Sequence, residues 1–212
     1  MNAYQIADEC DFDPTLIAFE MNKIINGNRV NFLNYSKIKD LYNYINRCAI
    51  ERVKLKSGAS GGTDNIIKGI FGELAVCLLI SDQPYLLLKE WYPTTCKNFN
   101  GDNTAKDIKR EWLEIPYNIE VKTTSGNKII IDNKFINAAR KINDGVLIAV
   151  REYKKYLYEI YGFIHYKNII KYYDKHNNSI SLDTFKAVDE LYVANDMYTD
   201  ICNLNVIREL IK

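Results

Sequence analysis

The segment 118–125 (NIEVKTTS) carries a carboxylate and an ammonium two residues apart. Alternate residues of a β-strand share a face, so Glu120 and Lys122 would lie together, about 7 Å apart, while Ile119 and Val121 point to the other side. A Glu-x-Lys pair by itself is weak support for chemistry, because exposed ion pairs on strands are common and contribute little. Its surroundings must therefore decide what it does.

A second copy of the pattern, Glu152 and Lys154, is interpreted as a solvent-exposed pair. The first copy differs because Asp107 lies thirteen residues upstream of Glu120, on a segment predicted to form the other strand of a hairpin. Two carboxylates held side by side repel each other unless a cation lies between them. A hard divalent ion with oxygen ligands, Mg²⁺ first, is the expected occupant.

A third acid, Glu73, stands in the segment GIFGELAVCLLI, which is apolar nearly all round. Such a helix is expected to be buried. A carboxylate on a buried helix is unfavourable unless it is paired or bound to a metal. Glu73 is therefore a candidate to join the same site from the helix side.

The elements that must position these residues follow from hydrophobic periodicity and from turn residues. One helix is predicted to begin at Asp13-Pro14, with apolar positions at helical spacing as far as Ile25, and a second to cover about 35–56. A Gly/Ser connector at 57–62 and a helix from Thr63-Asp64 to Ile80 follow. The remaining predicted elements are strands at 107–111 and 117–125, an extension of the sheet at 129–131, a helix near 134–142, strands at 145–150 and 156–165, and a helix near 166–173. The apolar run 145–150 is typical of a central strand covered on both faces. The order favours an α/β or α+β domain with a helical N-terminal arm.

With Glu73 on a helix, then Asp107, then Glu120-Val121-Lys122, the chain resembles the PD-(D/E)XK nuclease superfamily over about residues 63–165. The order of the elements contributes as much to the resemblance as the short motif. One departure is Lys106, which stands where many members have proline. Asp102 is an alternative ligand, but it lies in a turn-like Asn-Gly-Asp-Asn sequence, and Asp107 is preferred.

The resemblance implies a restriction-endonuclease-like core, a central mixed sheet flanked by helices. The predicted divisions are a helical arm and connector at 1–62, the core at 63–175 and a C-terminal extension packed on the core at 176–212. The implied activity is divalent-metal-dependent endonucleolytic hydrolysis of phosphodiester bonds in DNA. Alternatives are a junction resolvase, an exonuclease or an RNA-cleaving enzyme on the same fold, and a non-catalytic nucleic-acid-binding module.

The resemblance also implies roles for four residues. Asp107 and Glu120 would bind Mg²⁺, with the carbonyl of Val121 as a further ligand and Mn²⁺ able to substitute. Glu73 would bind a water molecule or a second metal. Lys122 would position the attacking water or help to deprotonate it, and would offset charge that develops on the phosphate.

Polar residues after the motif are candidates for contact with phosphate: Thr123, Thr124, Ser125, Lys128 and Lys134. A polar turn after a strand explains each of them equally well. Tyrosines around the last strand could stack on bases, or could form an aromatic edge of the core: Tyr153, Tyr156, Tyr158, Tyr161 and Tyr166. The lysines and arginines of the N-terminal arm are candidates for grasping DNA or for forming a dimer.

Composition limits the possible partners and the location. There are 28 Lys and Arg against 27 Asp and Glu, a net charge of +1, which excludes binding driven by a basic tail. The five cysteines form no CxxC pair, and no run of residues approaches the length of a membrane span. We therefore expect an intracellular, cytoplasmic protein with no membrane partner. The resemblance adds the expectation of a prokaryotic or viral source, of DNA as the main partner and of a possible homodimer.

Overall fold

A computed structural model describes residues 25–26, 28–32, 38–55, 62–80, 91, 107–109, 117–142 and 144–186. The helices are α1 (Ile38–Leu55), α2 (Gly62–Ile80), α3 (Asn133–Lys141) and α4 (Tyr166–Tyr172). The strands are β1 (Ile25–Asn26), β2 (Arg29–Asn31), β3 (Asn118–Thr124), β4 (Lys128–Ile130), β5 (Gly145–Lys154), β6 (Leu157–His165) and β7 (Ser179–Ser181), and a short 3₁₀ helix follows at Leu182–Thr184.

The main sheet has five strands in the order β1-β2-β6-β5-β3. β3 runs parallel to β5, whereas the other neighbours are antiparallel, so the sheet is mixed. A chain segment that contains α3 connects the two parallel strands, as parallel pairing requires. The predicted mixed α/β architecture is confirmed.

β5 lies between β3 and β6, and its residues Gly145 to Val150 are all buried. The alternation of a strand divides its side chains between two apolar layers. Val146, Ile148 and Val150 pack with α1 and α2, while Leu147 and Ala149 pack with α3 and α4. The prediction that residues 145–150 form a central strand covered on both faces is therefore confirmed.

α2 is enclosed by the rest of the fold, as its nearly all-round apolar sequence predicts. Each residue from Ile70 to Ile80 is buried. It approaches β3 closely at Gly72, where a Cβ atom would collide with the hydroxyl of Thr123. Glycine at this position lets the helix backbone come within contact of the strand. The helix that carries Glu73 is thus packed directly against the strand that carries Glu120.

Two sequence predictions about the strands are wrong. Segment 129–131 does not extend the main sheet, because β4 pairs antiparallel with β7 in a separate two-stranded sheet. Ile25 lies in a strand and not in a helix, since β1 and β2 form a hairpin that joins the edge of β6. Pairing of Val30 with the buried Tyr158 outweighs the local helical pattern.

Several predictions lie outside the described residues: the helix at Asp13-Pro14, most of the Gly/Ser connector, Asp102, Lys106 and the chain beyond 186. The helices described are all too short or too polar to cross a membrane. Lys186, at the end of the described chain, forms a bridge with Phe163 of β6, so residues 179–186 lie against both sheets.

Candidate active site

β3 presents two different faces, as the sequence alternation predicts. Ile119 and Val121 join the apolar layer beneath α2. Glu120 is 6% exposed, and its carboxylate forms an ion pair with the ammonium of Lys122, whose side chain is 33% exposed. The strand thus holds a buried carboxylate paired with an ammonium that reaches solvent.

Asp107 reaches this strand through an antiparallel bridge between Ile108 and Ile119, a register that places Asp107 opposite Glu120. The backbone amides of Asp107 and Ile108 both donate to the carbonyl of Ile119, at 2.8 and 2.9 Å. The amide of Val121 donates to Asp107 Oδ2 at 2.7 Å. Of the predicted strand at 107–111, the described residues show only this bridge at Ile108, which places Asp107 where the predicted hairpin would. The backbone of β3 fixes the Asp107 side chain.

The electrostatics of the group favour a cation. Burial, with a further contribution from the nearby Asp107 carboxylate, raises the pKa of Glu120 to about 7. The ammonium of Lys122 acts in the opposite sense but does not cancel these effects. Two acids and one ammonium therefore leave a site in which added positive charge would stabilise the ionised form of Glu120.

Lys122 itself is held in its charged form. Burial works to lower the pKa of Lys122, but the carboxylates of Glu120 and Asp107 outweigh burial and raise it. A lysine with a raised pKa is a poor base at neutral pH. Its chemistry here is that of a fixed positive charge that donates hydrogen bonds.

Glu73 lies in the middle of α2 and is buried. Its Oε2 accepts a hydrogen bond of 3.2 Å from the indole Nε1 of Trp91, which is itself buried. The charge of Glu73 also contributes to the raised pKa of Lys122, so the helix acid is close enough to act on the β3 group. The sequence indicated that Glu73 needed a partner but did not identify Trp91.

An aromatic platform, formed by Phe135 and Tyr166, underlies Lys122. The Lys122 ammonium lies 5.5 Å from the centre of the Phe135 ring, and that ring meets Tyr166 edge-on with centres 5.6 Å apart. Burial, together with the charges of Glu120 and Asp107, raises the pKa of Tyr166, which places its phenol near the acids. Gly145 accommodates the Tyr166 ring, since a Cβ atom there would overlap it.

The predicted phosphate contacts lie in different environments. The Thr123 hydroxyl is buried against Gly72 and has no hydrogen-bond partner among the described residues, so it is turned away from solvent. Thr124 Oγ1 accepts from the amide of Gly126 at 3.1 Å. Lys128 and Lys134 are exposed. Of this predicted set, the two lysines have the freest access to a ligand.

Ser125 belongs to a second polar cluster. Its hydroxyl accepts from Lys68 Nζ at 2.7 Å and donates to Glu152 Oε2 at 3.2 Å. Glu152 also forms an ion pair with Lys68 at 3.3 Å and accepts from the Tyr158 hydroxyl at 3.3 Å. With a side chain only 14% exposed, Glu152 is not the solvent-exposed acid that its sequence context suggested.

The donor set suits a hard divalent cation, although it is small. Asp107 and Glu120 supply carboxylate oxygens, the ligand atoms that Mg²⁺ prefers, and the Val121 carbonyl remains the third candidate. Within the described part of the chain, no three His, Cys, Asp or Glu side chains are grouped as a metal site. Glu73 is bonded to Trp91, and Glu120 to Lys122. A cation would therefore rest on two side chains and on backbone or solvent oxygens.

Compared with known proteins, the chain matches no family model, no curated protein and no solved structure. Its function must therefore be argued from its own residues.

Proposed function

We propose that this protein is a divalent-metal-dependent nuclease of the PD-(D/E)XK type, acting on DNA as an endonuclease. The observation that carries the proposal is that Asp107, on the segment bridged to β3, lies beside Glu120 and Lys122 of β3. The parallel pairing of β3 with β5 and the packing of α2 behind β3 agree with a restriction-endonuclease-like core.

In this proposal Asp107 and Glu120, with the Val121 carbonyl, hold Mg²⁺ or Mn²⁺. Such an ion polarises a phosphate and lowers the pKa of a bound water. Asp107 is kept in place by the amide of Val121. Glu73, fixed by Trp91, contributes negative charge from the helix side.

Lys122 acts as a cation in the proposed reaction. Its ammonium would donate to the non-bridging phosphate oxygens or to the attacking water, and would offset the charge that builds during in-line attack. The raised pKa makes electrostatic stabilisation a better role for Lys122 than proton abstraction. Phe135 limits where the ammonium can move.

The test is a cleavage assay with the purified protein in Mg²⁺, Mn²⁺ or EDTA. The substrates are plasmid, linear duplex DNA, single-stranded DNA, RNA and a four-way junction. Circular plasmid cut with Mg²⁺ but not with EDTA is the expected result. Cleavage of only free ends, of RNA or of junctions would support instead the exonuclease, ribonuclease or resolvase alternatives on the same fold.

Three substitutions test the roles. Asp107→Asn, Glu120→Gln and Lys122→Ala should each lower the cleavage rate by about 100-fold or more, in the range found for loss of one electrostatic group. Asn keeps an oxygen that can accept from Val121, so Asp107→Asn separates charge from structure. Lys154→Ala, at the exposed lysine of the other Glu-x-Lys pair, is the matched control and should retain full activity. Wild-type rates in any of the three variants would remove the assigned role of that residue.

One alternative is favoured by specific contacts, namely a non-catalytic nucleic-acid-binding module. Glu73 and Glu120 already have protein partners, and the described residues hold no three-ligand cluster. Titration calorimetry with Mg²⁺ and Mn²⁺ distinguishes the two: an enzyme should bind metal at millimolar concentrations and lose that binding in Glu120→Gln. Absence of metal binding together with retained DNA binding would favour the module.

A further inference from the structure

A cavity of 310 Å³ lies near the beginning of α2, between that helix, α1 and the turn that joins β5 to β6. It is lined by Tyr42, Asp64, Ile67, Lys68, Glu152, Lys155, Tyr156 and Tyr158. Its volume lies at the lower end of the range for small-molecule pockets. A ligand of the size of one nucleotide suits such a space, whereas a double helix would not fit.

Three tyrosines form the aromatic part of the lining. The rings of Tyr42 and Tyr156 meet edge to face, with centres 5.3 Å apart and planes at 84°. Tyr156 adopts φ 68°, a left-handed conformation that glycine or asparagine usually occupies in a hairpin turn. The chain accepts this disfavoured backbone, and the Tyr156 ring lies in the cavity wall against Phe71.

The charged groups of the lining are not equally engaged. Lys68 is bonded to Ser125 and paired with Glu152. Lys155 is exposed, and its ammonium lies 5.4 Å from the Tyr156 ring and 5.9 Å from the Tyr42 ring. Among the described residues, Lys155 forms no ion pair with a carboxylate, and neither does Asp64 with an ammonium. The cavity thus offers one unpaired cation, one unpaired acid and an aromatic wall.

These groups match the chemistry of a nucleotide. Aromatic side chains stack on bases regardless of sequence. An ammonium binds phosphate, and a carboxylate accepts from the exocyclic amino group of a base. Lys68 connects the cavity to Ser125, which follows Lys122 by three residues, or roughly 10 Å along an extended chain. The cavity lies on the α2 side of the main sheet, whereas Glu120 and Lys122 point to the side covered by α3.

We propose that this cavity binds one nucleotide, with its base against Tyr42 and Tyr156 and its phosphate on Lys155. The nucleotide is either free or a single unpaired residue of the strand. The choice of a nucleotide over another charged aromatic molecule rests on the proposed nuclease function. Asp64 faces the base, and Lys68 stays paired with Glu152.

The experiment measures binding to the full chain in EDTA, where the proposed cleavage cannot proceed. The ligands are a nucleoside 5′-monophosphate, the matching nucleoside, inorganic phosphate and a single-stranded oligonucleotide. The proteins are wild type, Lys155→Gln and Lys154→Gln. The matched pair removes the same charge from adjacent exposed residues, of which only Lys155 lines the cavity.

Loss of a charged contact to phosphate should weaken nucleotide binding about tenfold in Lys155→Gln, with a change under about twofold in Lys154→Gln. The nucleoside and inorganic phosphate should each bind more weakly than the nucleotide, because each lacks half of the contacts. Dependence on Lys155 for the monophosphate identifies a free nucleotide as a sufficient ligand. The same dependence for the oligonucleotide alone identifies a strand as the source.

Three outcomes overturn the nucleotide cavity: no binding of either nucleotide form at millimolar concentration, equal loss in both variants, or phosphate binding as tight as the nucleotide. The cleavage assay separates this failure from that of the nuclease. Plasmid cutting that depends on Glu120, without nucleotide binding that depends on Lys155, rejects the cavity alone. Nucleotide binding that depends on Lys155, without cutting in any metal, rejects the nuclease alone.

Discussion

Individual side chains of β3 have sharply different environments although they are neighbours in sequence. Glu120 is buried beside another acid, and Lys122 reaches solvent from the same face. The Thr123 hydroxyl is buried against α2 and has no hydrogen-bond partner among the described residues. Polar residues of one strand therefore differ in what they contribute: the Thr123 hydroxyl affects the stability of the fold, whereas Glu120 and Lys122 are candidates for chemistry. Substitutions at Thr123 and at the more distant His165 can separate these contributions.

Thr123→Val should raise the free energy of unfolding by about 1 kcal/mol, because it replaces an unsatisfied buried hydroxyl by a methyl group of similar shape. Urea denaturation measures the change. DNA binding should be unaffected, and a loss of affinity in this folded variant would show that the hydroxyl contacts the substrate after all.

His165 gives the fold a dependence on pH. Burial, with the ammoniums of Lys167 and Lys186, lowers the pKa of His165 from its usual 6.5, and the ring packs edge-on against Tyr117 and Phe163. Below pH 6.5 the unfolded chain takes up a proton that the folded chain resists, so stability falls as the pH falls.

His165→Gln removes this proton uptake, and the variant supplies the comparison. The melting temperature of the wild type should drop more steeply than that of His165→Gln between about pH 7.5 and pH 5, over the range in which histidine titrates. Parallel curves for the two proteins would show that His165 has the same pKa in both states.

At the scale of the element, the contact at Gly72 determines how closely α2 can approach β3. Gly72 allows the helix to touch Thr123 of β3, where an added Cβ atom would collide with the threonine hydroxyl. At Gly69, one turn earlier, an added Cβ atom would meet nothing within 4 Å. The position of the helix matters for the site because Glu73 is the next residue after Gly72.

The two glycines give a matched test. Gly69→Ala should stabilise the protein by about 0.5–1 kcal/mol, the gain in helix propensity at an open position. Gly72→Ala should destabilise it by about 1–3 kcal/mol, because the new methyl group overlaps Thr123. Chemical denaturation of both variants measures the difference, and equal effects would contradict the close packing of α2 on β3.

Two helices contribute the aromatic platform beneath Lys122: α3 carries Phe135 and α4 carries Tyr166. Phe135→Leu keeps an apolar side chain but removes the attraction between ring and ammonium, worth about 0.5–2 kcal/mol. We expect a fall in kcat of about 2- to 30-fold with KM little changed. An unchanged kcat in the folded variant would show that the ring does not position Lys122.

At the scale of the whole molecule, the net charge of +1 limits the affinity expected of the proposed binding to nucleic acid. Several acids are enclosed at or near the two polar clusters and do not repel phosphate from the surface: Glu73, Glu120 and Glu152. The balance still leaves no large excess of basic groups to drive binding.

Binding to random duplex DNA should therefore be weak, with a Kd above roughly 10⁻⁵ M at physiological salt, in the weaker half of the non-specific range. Titration in a series of salt concentrations measures both the affinity and the number of phosphate contacts. Tight binding to random sequence at 150 mM salt, with a steep salt slope, would contradict this expectation.

Hydrophobic periodicity in the sequence determined the type of most described elements, including α2, β3, α3, β5 and β6, because local patterns reflect which face each element buries. The same alternation placed Glu120 and Lys122 on one face. Tertiary contacts decided the rest. β4 pairs with β7 outside the main sheet. The hairpin of β1 and β2 lies at the edge of β6. Glu152 is enclosed by Lys68, Ser125 and Tyr158. Trp91 became the partner of Glu73 across eighteen residues. None of these pairings has a local pattern, since each depends on which distant surfaces meet when the chain folds.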